Sequence, residues 1–331
     1  MTRLPQGLAT TPLATPLTTP WWRHRRLLPW LVQGAVGLLV LVLVAFLLGN
    51  LVRNLTNAGL LLTWSWLHNP AGFEIAETTL PFNASMPYWR GLLAGLVNTL
   101  QVVVLGLIGA TALGTATGMA AFSSNGLLRG LARLYVDLIR NIPLLLQLLF
   151  WYFVVFLALP NGAAAVQLPG LVLAKSGLYL GQPQLVNDVW QAPLRMSVEF
   201  ASLLTGLVVY TGAFIAEVVR GGVAAVPQGQ WEAARSLGLG QALTLRRIVV
   251  PQALRVIVPA LNSQYISLAK GSSLAVACGY TDLYSVAETT LNQTGRAVEV
   301  VLILLASYLV IDLVISALMN GLNRLVQLRE R

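Results

Sequence analysis

Long uninterrupted apolar blocks constrain this chain more than any other feature of its sequence. The first runs from about Leu27 to Gly49, and similar blocks recur up to the C-terminal region. A helix needs about 20 mostly apolar residues to cross a bilayer core. Only 10% of the 331 residues are charged, whereas a soluble globular protein carries about 25%. The sequence therefore predicts an all-α integral membrane protein.

We expect about six transmembrane helices. The first follows the basic run "WWRHRR" and exceeds a usual signal-peptide core, so it is interpreted as a retained anchor. Residues 1–26, which are rich in Thr and Pro, predict a disordered tail. Residues 50–88 predict a loop with a short interfacial helix, and residues 161–194 a second loop. The predicted spans are 27–49, 95–121, 142–160, 197–219, 257–280 and 298–322.

The distribution of Lys and Arg predicts the orientation of these helices. If the N-terminus is cytoplasmic, 15 of the 21 basic residues lie in the inner segments. This bias satisfies the positive-inside rule and also places the C-terminus in the cytoplasm. The net charge of +9 has the same explanation. No basic stripe alternates with exposed aromatic residues, so we expect no nucleic-acid partner.

Small residues recur at four-residue spacing in the second predicted span. They are Gly106, Ala110, Gly114 and Gly118. Such a stripe lets another helix approach closely, and we expect it to be a helix-packing surface.

The sequence offers little for catalysis or metal binding. Cys278 is the single cysteine, and the two histidines, His24 and His68, are far apart. We therefore expect no metal site, no cofactor and no membrane-embedded enzyme, which would need a convergent set of catalytic groups. The chain also lacks the G-x-x-x-x-G-K-[ST] loop of ATPases, so we expect no ATP hydrolysis by the chain itself.

A polar segment from Val226 to Leu254 interrupts the apolar pattern. Its residues Gln230–Leu237 predict a short helix, entered at Pro227 and left at Gly238. Ala233 and Ala234 give this helix a face of small side chains. A short exposed helix has little stability alone, so it suits a groove on another protein. An ordinary interfacial linker helix is the alternative.

The stretch "EAARSLGLGQALTLRRIVVP" resembles the EAA loop of ATP-binding-cassette (ABC) importer permeases. That motif has E-A-A, three residues, G, nine residues and I-x-L-P, with Val250 standing here for the usual Leu. "RNIPLLLQ" and "LNSQYISLAKGSSLA" are similar to patterns of the polar amino-acid group, although Gly271 replaces a more usual polar residue. The extra first helix and long loops resemble the general L-amino acid permease subunits. The matching EAA residues are Glu232, Ala233, Ala234, Gly238, Ile248 and Pro251.

This resemblance implies a type I ABC importer transmembrane domain over residues 91–322, with a coupling loop at 220–256. Residues 27–90 would add one N-terminal helix and an external loop, and residues 323–331 a cytoplasmic tail. The implied partners are a cytoplasmic ABC ATPase dimer, a related but non-identical second permease and a periplasmic solute-binding protein. The implied setting is the lipid of a bacterial inner membrane, and the implied substrate is an amino acid.

Polar residues inside the predicted spans are candidates for a substrate path, because charges in a bilayer are costly and usually functional. Lys270 would attract a substrate carboxylate or pair with an acid, and Glu217 would otherwise form an ion pair with Arg220. The candidates are Lys270, Gln264, Ser267, Ser272, Ser273 and Glu217.

An ion-gradient-driven secondary transporter or channel is the alternative function. Such a protein would be expected to show internal repeats, broken helices or paired membrane acids. The sequence has no clear repeat, and this alternative leaves the polar segment unexplained.

Overall fold

The computed structural model describes residues 27–57, 59 and 62–327, and the predicted tail at 1–26 lies outside them. The chain divides into two compact units, Met1–Leu62 and Thr63–Arg331. The described residues of the first unit include the helix α1 (Leu27–Asn57). This helix continues beyond the predicted end at Gly49 and, at 1.5 Å per residue, is about 45 Å long.

The second unit is mainly helical. Two segments are π-helical, Phe150–Phe156 directly after α4 and Leu245–Val249 directly before α8, and Ser272–Cys278 is a 3₁₀ helix directly after α8. The described α-helices are α2 (Tyr88–Ala120), α3 (Gly126–Arg140), α4 (Leu144–Leu149), α5 (Val198–Ala224), α6 (Gln228–Ser236), α7 (Gln241–Thr244), α8 (Val250–Gly271), α9 (Leu283–Thr294) and α10 (Ala297–Val326).

Helices α2 and α5 run side by side in the same direction at the centre of this unit. A β-carbon at Gly114 would lie 2.6 Å from Ile215 Cβ and 2.7 Å from the Gly212 carbonyl oxygen. At Gly118 it would lie 2.7 Å from the Ala216 carbonyl oxygen. All four residues of the predicted small-residue stripe are buried, which confirms that the stripe is a packing surface.

Helix α8 runs antiparallel to α2 and α5 and completes the centre of the bundle. Leu268 packs on Gly106 of α2, and Ile257 packs on Gly222 of α5. The C-terminal ends of α2 and α5 therefore lie beside the start of α8. We call this the α6 end, because α6 connects to it.

We expect Gly114→Ala to destabilise the bundle, because its methyl group has no room against α5. Overpacking of this kind costs about 1–3 kcal/mol. The matched control is Gly130→Ala in α3, where nothing lies within 4 Å of an added β-carbon. Thermal unfolding of the purified protein in detergent would measure both. Equal unfolding temperatures for the two variants would contradict the close approach of α2 and α5.

Four described helices are long and apolar enough to cross a membrane: α1 (from Pro29), α2, α5 and α10. The pair formed by α3 and the helical segment Leu144–Phe156 would make a fifth, with a bend of 107° between its halves. Helix α8 does not pass this test, although a span was predicted at 257–280. Its charged residues, Arg255 and Lys270, and its neighbouring amides lower its hydropathy, and the α-helix ends at Gly271.

A small β insert replaces the loop predicted at 161–194. Antiparallel strands form one sheet in the order β1-β2-β3-β6 and a separate hairpin, β4-β5. In the hairpin turn, Asn187 and Asp188 have φ of 49° and 61°, which is the geometry of a two-residue turn. The strands are β1 (Val166–Leu168), β2 (Leu171–Ala174), β3 (Gly177–Leu180), β4 (Gln184–Val186), β5 (Val189–Gln191) and β6 (Leu194–Met196).

The insert and the loop before α2 lie at the end of the bundle opposite α6. The insert has its own small core, which includes Val172, Tyr179 and Trp190, and β6 leads directly into α5. In the loop at 62–87, Ser65–His68 form a short 3₁₀ helix. The loop closes on itself where Pro70 pairs with Pro87.

Candidate functional site

The polar segment forms the predicted short helix, α6, which starts two residues earlier than expected. Pro227 precedes it, and Gly238 follows it with φ of +70°. The amide of Gly238 donates to the Arg235 carbonyl at 2.9 Å, and that of Leu239 to the Ala234 carbonyl at 3.0 Å. These two bonds form a Schellman motif, which ends a helix and normally requires glycine in the left-handed position. Gly238 therefore fixes the exit from α6.

One side of α6 packs on the bundle. Ala234 is only 1% exposed, and Trp231 packs against the core cluster that contains Val226, Val249 and Met319. The Gln252 amide of α8 also donates to the Gln230 side chain at 3.3 Å. The sequence did not identify Trp231 as an anchor, although an aromatic side chain beside small residues was the available signal.

The other side of α6 faces away from the bundle. Glu232 and Ala233 are exposed, and Leu237 is 76% exposed. The single small face predicted for Ala233 and Ala234 is therefore wrong, because the two side chains point in different directions. Within the described residues, Glu232 forms no ion pair. The outer face thus offers an unpaired carboxylate, a methyl group and an apolar side chain to another molecule.

The chain returns to the bundle through α7 and the π-helical segment. Thr244 is buried and donates to the Gly240 carbonyl at 3.1 Å, while Gln241 donates to the Phe122 carbonyl, beyond the end of α2, at 3.2 Å. Pro251 lies in the first turn of α8. Proline has no N–H to donate, and the π-helical segment Leu245–Val249 directly precedes α8.

The motif positions in this return segment differ in burial. Ile248 is half-buried and Pro251 is exposed, whereas Val249 between them is fully buried. Val249, which was not singled out from the sequence, therefore holds this segment to the core together with the half-buried Leu245.

Three of the predicted path residues share one face of α8. Gln264, Ser267 and Lys270 follow helical spacing, and Ser267 and Lys270 are exposed. Gln264 and Ser267 line a cavity of about 110 Å³ together with Tyr210 and Phe214 of α5. A polar surface of this kind is costly against hydrocarbon.

Lys270 also forms an ion pair across two helices. Its Nζ lies 3.4 Å from Oδ2 of Asp312 in α10, while Asp312 Oδ1 is buried without a hydrogen-bond partner. The sequence singled out Lys270 and left open whether it pairs with an acid.

The remaining path candidates lie elsewhere. Ser272 is buried and donates to the Ala269 carbonyl, and Ser273 donates to the Lys270 carbonyl. Glu217 lies near the α6 end, where it accepts a hydrogen bond from Arg220 at 2.9 Å. The structure therefore does not bring Ser272 or Glu217 into the polar face of α8, whereas Ser273 lies beyond its end, in the 3₁₀ helix that follows α8.

A buried polar cluster near the insert end was not predicted. Asn98 donates to the carbonyls of Glu77 and Thr281 at 2.8 Å each, and Thr99 accepts from the Leu283 amide. Asp282 caps α9 by accepting from the Ser285 amide at 2.9 Å. Burial raises the pKa of Asp282 to about 6. These bonds join the loop before α2, α2 itself and α9.

The part of the chain that the structure describes shows no set of metal ligands. No group of three or more His, Cys, Asp or Glu side chains there could hold a metal ion. Cys278 is buried, and its Sγ lies 3.9 Å from the Leu148 carbonyl oxygen.

Comparisons with known proteins find permeases of amino-acid transport systems among the relatives of this chain. A putative amino-acid ABC transporter permease of Escherichia coli strain K12, YhdX, is 37% identical, covering 91% of this chain and 95% of its own. The general L-amino acid transport system permease AapQ of Rhizobium johnstonii is 36% identical, with 85% and 87% covered.

Solved structures extend the likeness to the fold. A crystal structure of an amino acid ABC transporter with histidines matches with a TM-score of 0.54 and 28% identity, covering 72% of this chain and 94% of that one. The methionine ABC transporter MetNI, in an inward-facing conformation, matches with a TM-score of 0.53 at 19% identity, which supports the fold alone. Residues 110–328 match the family described as the binding-protein-dependent transport system inner membrane component, and the chain belongs to this family.

Proposed function

We propose that this chain is a permease subunit of an ATP-driven amino-acid importer. The names of its relatives support amino acids as the substrate class. The relatives' family leaves the ion-gradient-driven secondary transporter or channel without support. ATP hydrolysis is assigned to a partner, because the chain has no phosphate-binding loop of the ATPase type.

The proposed setting is a bacterial inner membrane with both termini in the cytoplasm. The distribution of basic residues supports this orientation, since Arg133, Arg235, Arg246 and Arg247 all lie toward the α6 end. In this arrangement the β insert and the loop before α2 face the periplasm, and α8 crosses the membrane as the fifth of six spans. Its polar face would be shielded from lipid by a second permease.

The proposed coupling element is α6, which would bind in a cleft on the ATPase dimer. The observation that carries this proposal is the division of α6 into two faces. Ala234 and Trp231 hold it to the bundle, while Glu232, Ala233 and Leu237 remain available to a partner. A helix seated in this way transmits a push on its outer face to α5, which precedes it in sequence, and to α8, whose Gln252 donates to Gln230 of α6.

The proposed substrate path follows the polar face of α8. Gln264, Ser267 and Lys270 would face a second, related permease subunit across the path, and a periplasmic solute-binding protein would deliver the amino acid. Ser272, Ser273 and Glu217 have less support, because their side chains bond to their own helices. A zwitterionic amino acid carries a carboxylate that the Lys270 ammonium group would attract.

Reconstitution tests this function. The chain would be placed in liposomes with a second permease and an ATPase from the same system, and uptake of labelled L-glutamine and L-glutamate would be followed with binding protein outside and ATP inside. We expect ATP-dependent uptake that stops when either the ATPase or the binding protein is omitted. Accumulation by this chain alone, driven by an ion gradient in ATP-free vesicles, would refute the proposal.

A further inference from the structure

A cavity of about 380 Å³ opens between α2, α3 and α5 near the α6 end, away from the outer face of α6 and the polar face of α8. Three arginines line it, Arg133, Arg140 and Arg220, together with two carboxylates, Asp137 and Glu217. Arg220 and Glu217 satisfy each other, since Arg220 Nε donates to Glu217 Oε2 at 2.9 Å. Outside this pair, the cavity contains two further guanidinium groups, those of Arg133 and Arg140, and one further carboxylate, that of Asp137.

The two further guanidinium groups differ in what holds them. The Arg140 guanidinium lies 5.1 Å from the centre of the Phe214 ring and 4.0 Å from Glu217 Oε2. Arg133 is exposed, and its side chain forms no ion pair or hydrogen bond with any described residue. Arg133 is thus the group in this cavity that is free to bind an anion, with Asp137 as the carboxylate that opposes it.

The same helix carries an exposed apolar stripe. Leu127, Leu131, Leu134 and Leu138 follow the spacing i, i+4, i+7 and i+11, and each is more than half exposed. On the side that packs on the bundle, Ala132 is buried, and Tyr135 donates to the Val209 carbonyl at 2.6 Å. The basic residues of α3 lie on a third side, next to the cavity. Helix α3 is therefore apolar where it is free and basic where it borders the cavity.

The direction of α3 suits a membrane interface. It meets the following helical segment, Leu144–Phe156, at 107°. If that segment runs across the bilayer, α3 lies nearly in the membrane plane. A helix in this position places apolar side chains among acyl chains and basic side chains among headgroups.

We propose that this cavity is a binding site for an anionic phospholipid, with the headgroup phosphate held by Arg133 and an acyl chain lying along the leucine stripe of α3. Basic pockets between membrane helices bind anionic headgroups in this way. The site needs both parts, because the guanidinium selects the charge and the leucines supply the apolar contact. A free phosphate ion would satisfy only the first.

Native mass spectrometry of the assembled transporter tests the site. The complex would be purified from nanodiscs containing phosphatidylglycerol and phosphatidylcholine, and retained lipid would be counted for the unaltered chain and for Arg133→Gln. We expect preferential retention of phosphatidylglycerol, weakened about tenfold in the variant, which is the effect of losing one charge-assisted hydrogen bond. Arg324→Gln is the matched control, since Arg324 is also an exposed arginine near the α6 end and lies outside the cavity.

A second variant keeps the proposal testable if Arg133→Gln is poorly folded. Leu131→Ser with Leu134→Ser should also lower phosphatidylglycerol retention, whereas 10 mM inorganic phosphate, on the order of a cellular concentration, should not displace the lipid. Equal retention of the two lipids, unchanged retention in Arg133→Gln or displacement by phosphate would each overturn the lipid site. Dissociation of the two permeases in the leucine variant, with lipid retention intact, would show that the stripe is a protein interface instead.

Discussion

Replacing Gly238 by valine is expected to reduce ATP-dependent uptake at least about tenfold while the protein still inserts in the membrane. Gly238 has φ of +70°, and the cost for a non-glycine residue there is about 1–2 kcal/mol, more for a β-branched one. A cost of 1.4 kcal/mol already corresponds to about tenfold. The strain would break the Schellman bonds and misplace the outer face of α6. Uptake in reconstituted liposomes and the amount of chain in the membrane are the two measurements.

The control for this experiment is Gly238→Asn. Asparagine tolerates the left-handed conformation, and nothing lies within 4 Å of an added β-carbon at this position, so steric crowding is not a factor. We expect this variant to retain most of the uptake. If valine and asparagine behave alike, the backbone conformation at Gly238 has no part in coupling.

Removing Lys270 alone is expected to lower both membrane abundance and uptake. Lys270→Met leaves Asp312 without its partner, and an unpaired Asp at the centre of a membrane helix costs about 2.5–3.5 kcal/mol. The double variant Lys270→Met, Asp312→Asn removes both charges and should restore abundance. Because the proposed path places Lys270 against the substrate carboxylate, we expect uptake by the double variant to remain at least about tenfold below normal. Immunoblots of membranes and uptake of labelled L-glutamate separate the two effects.

A matched lysine tests whether the result depends on position. Lys175→Met removes an exposed lysine from the turn between β2 and β3 and should leave uptake unchanged. Normal uptake by the double variant would limit the Lys270–Asp312 pair to a structural role and remove Lys270 from the path.

The coupling segment was predictable because its signals are local. Proline at the entry, glycine at the exit and strong helix formers between them define α6 without reference to any other part of the chain. Which side of α6 faces the bundle was not predictable. That choice depends on the core cluster against which Trp231 packs, and members of this cluster such as Met319 of α10 lie far from α6 in the sequence.

The sequence predicted the positions of the membrane helices more reliably than their first and last residues. Helix α2 begins at Tyr88, seven residues before its predicted apolar block, because helical backbone hydrogen bonds extend into residues of lower hydropathy. The spacing of the leucines in α3 would have predicted an amphipathic helix. The count of Lys and Arg used for the orientation treated that segment only as a connection between two spans. The pairing of Lys270 with Asp312 required the packing of α8 on α10, which no local pattern contains.

The burial of Cys278 makes this chain a convenient background for site-specific labelling. It is the single cysteine among 331 residues, and its side chain is fully covered inside the bundle, so thiol reagents should leave the folded protein unmodified. Two cysteines, one introduced at Leu237 directly after α6 and one at Val189 in the β insert, would then carry a pair of spin labels or fluorophores. The distance between them would report directly whether the two ends of the bundle move together during a transport cycle.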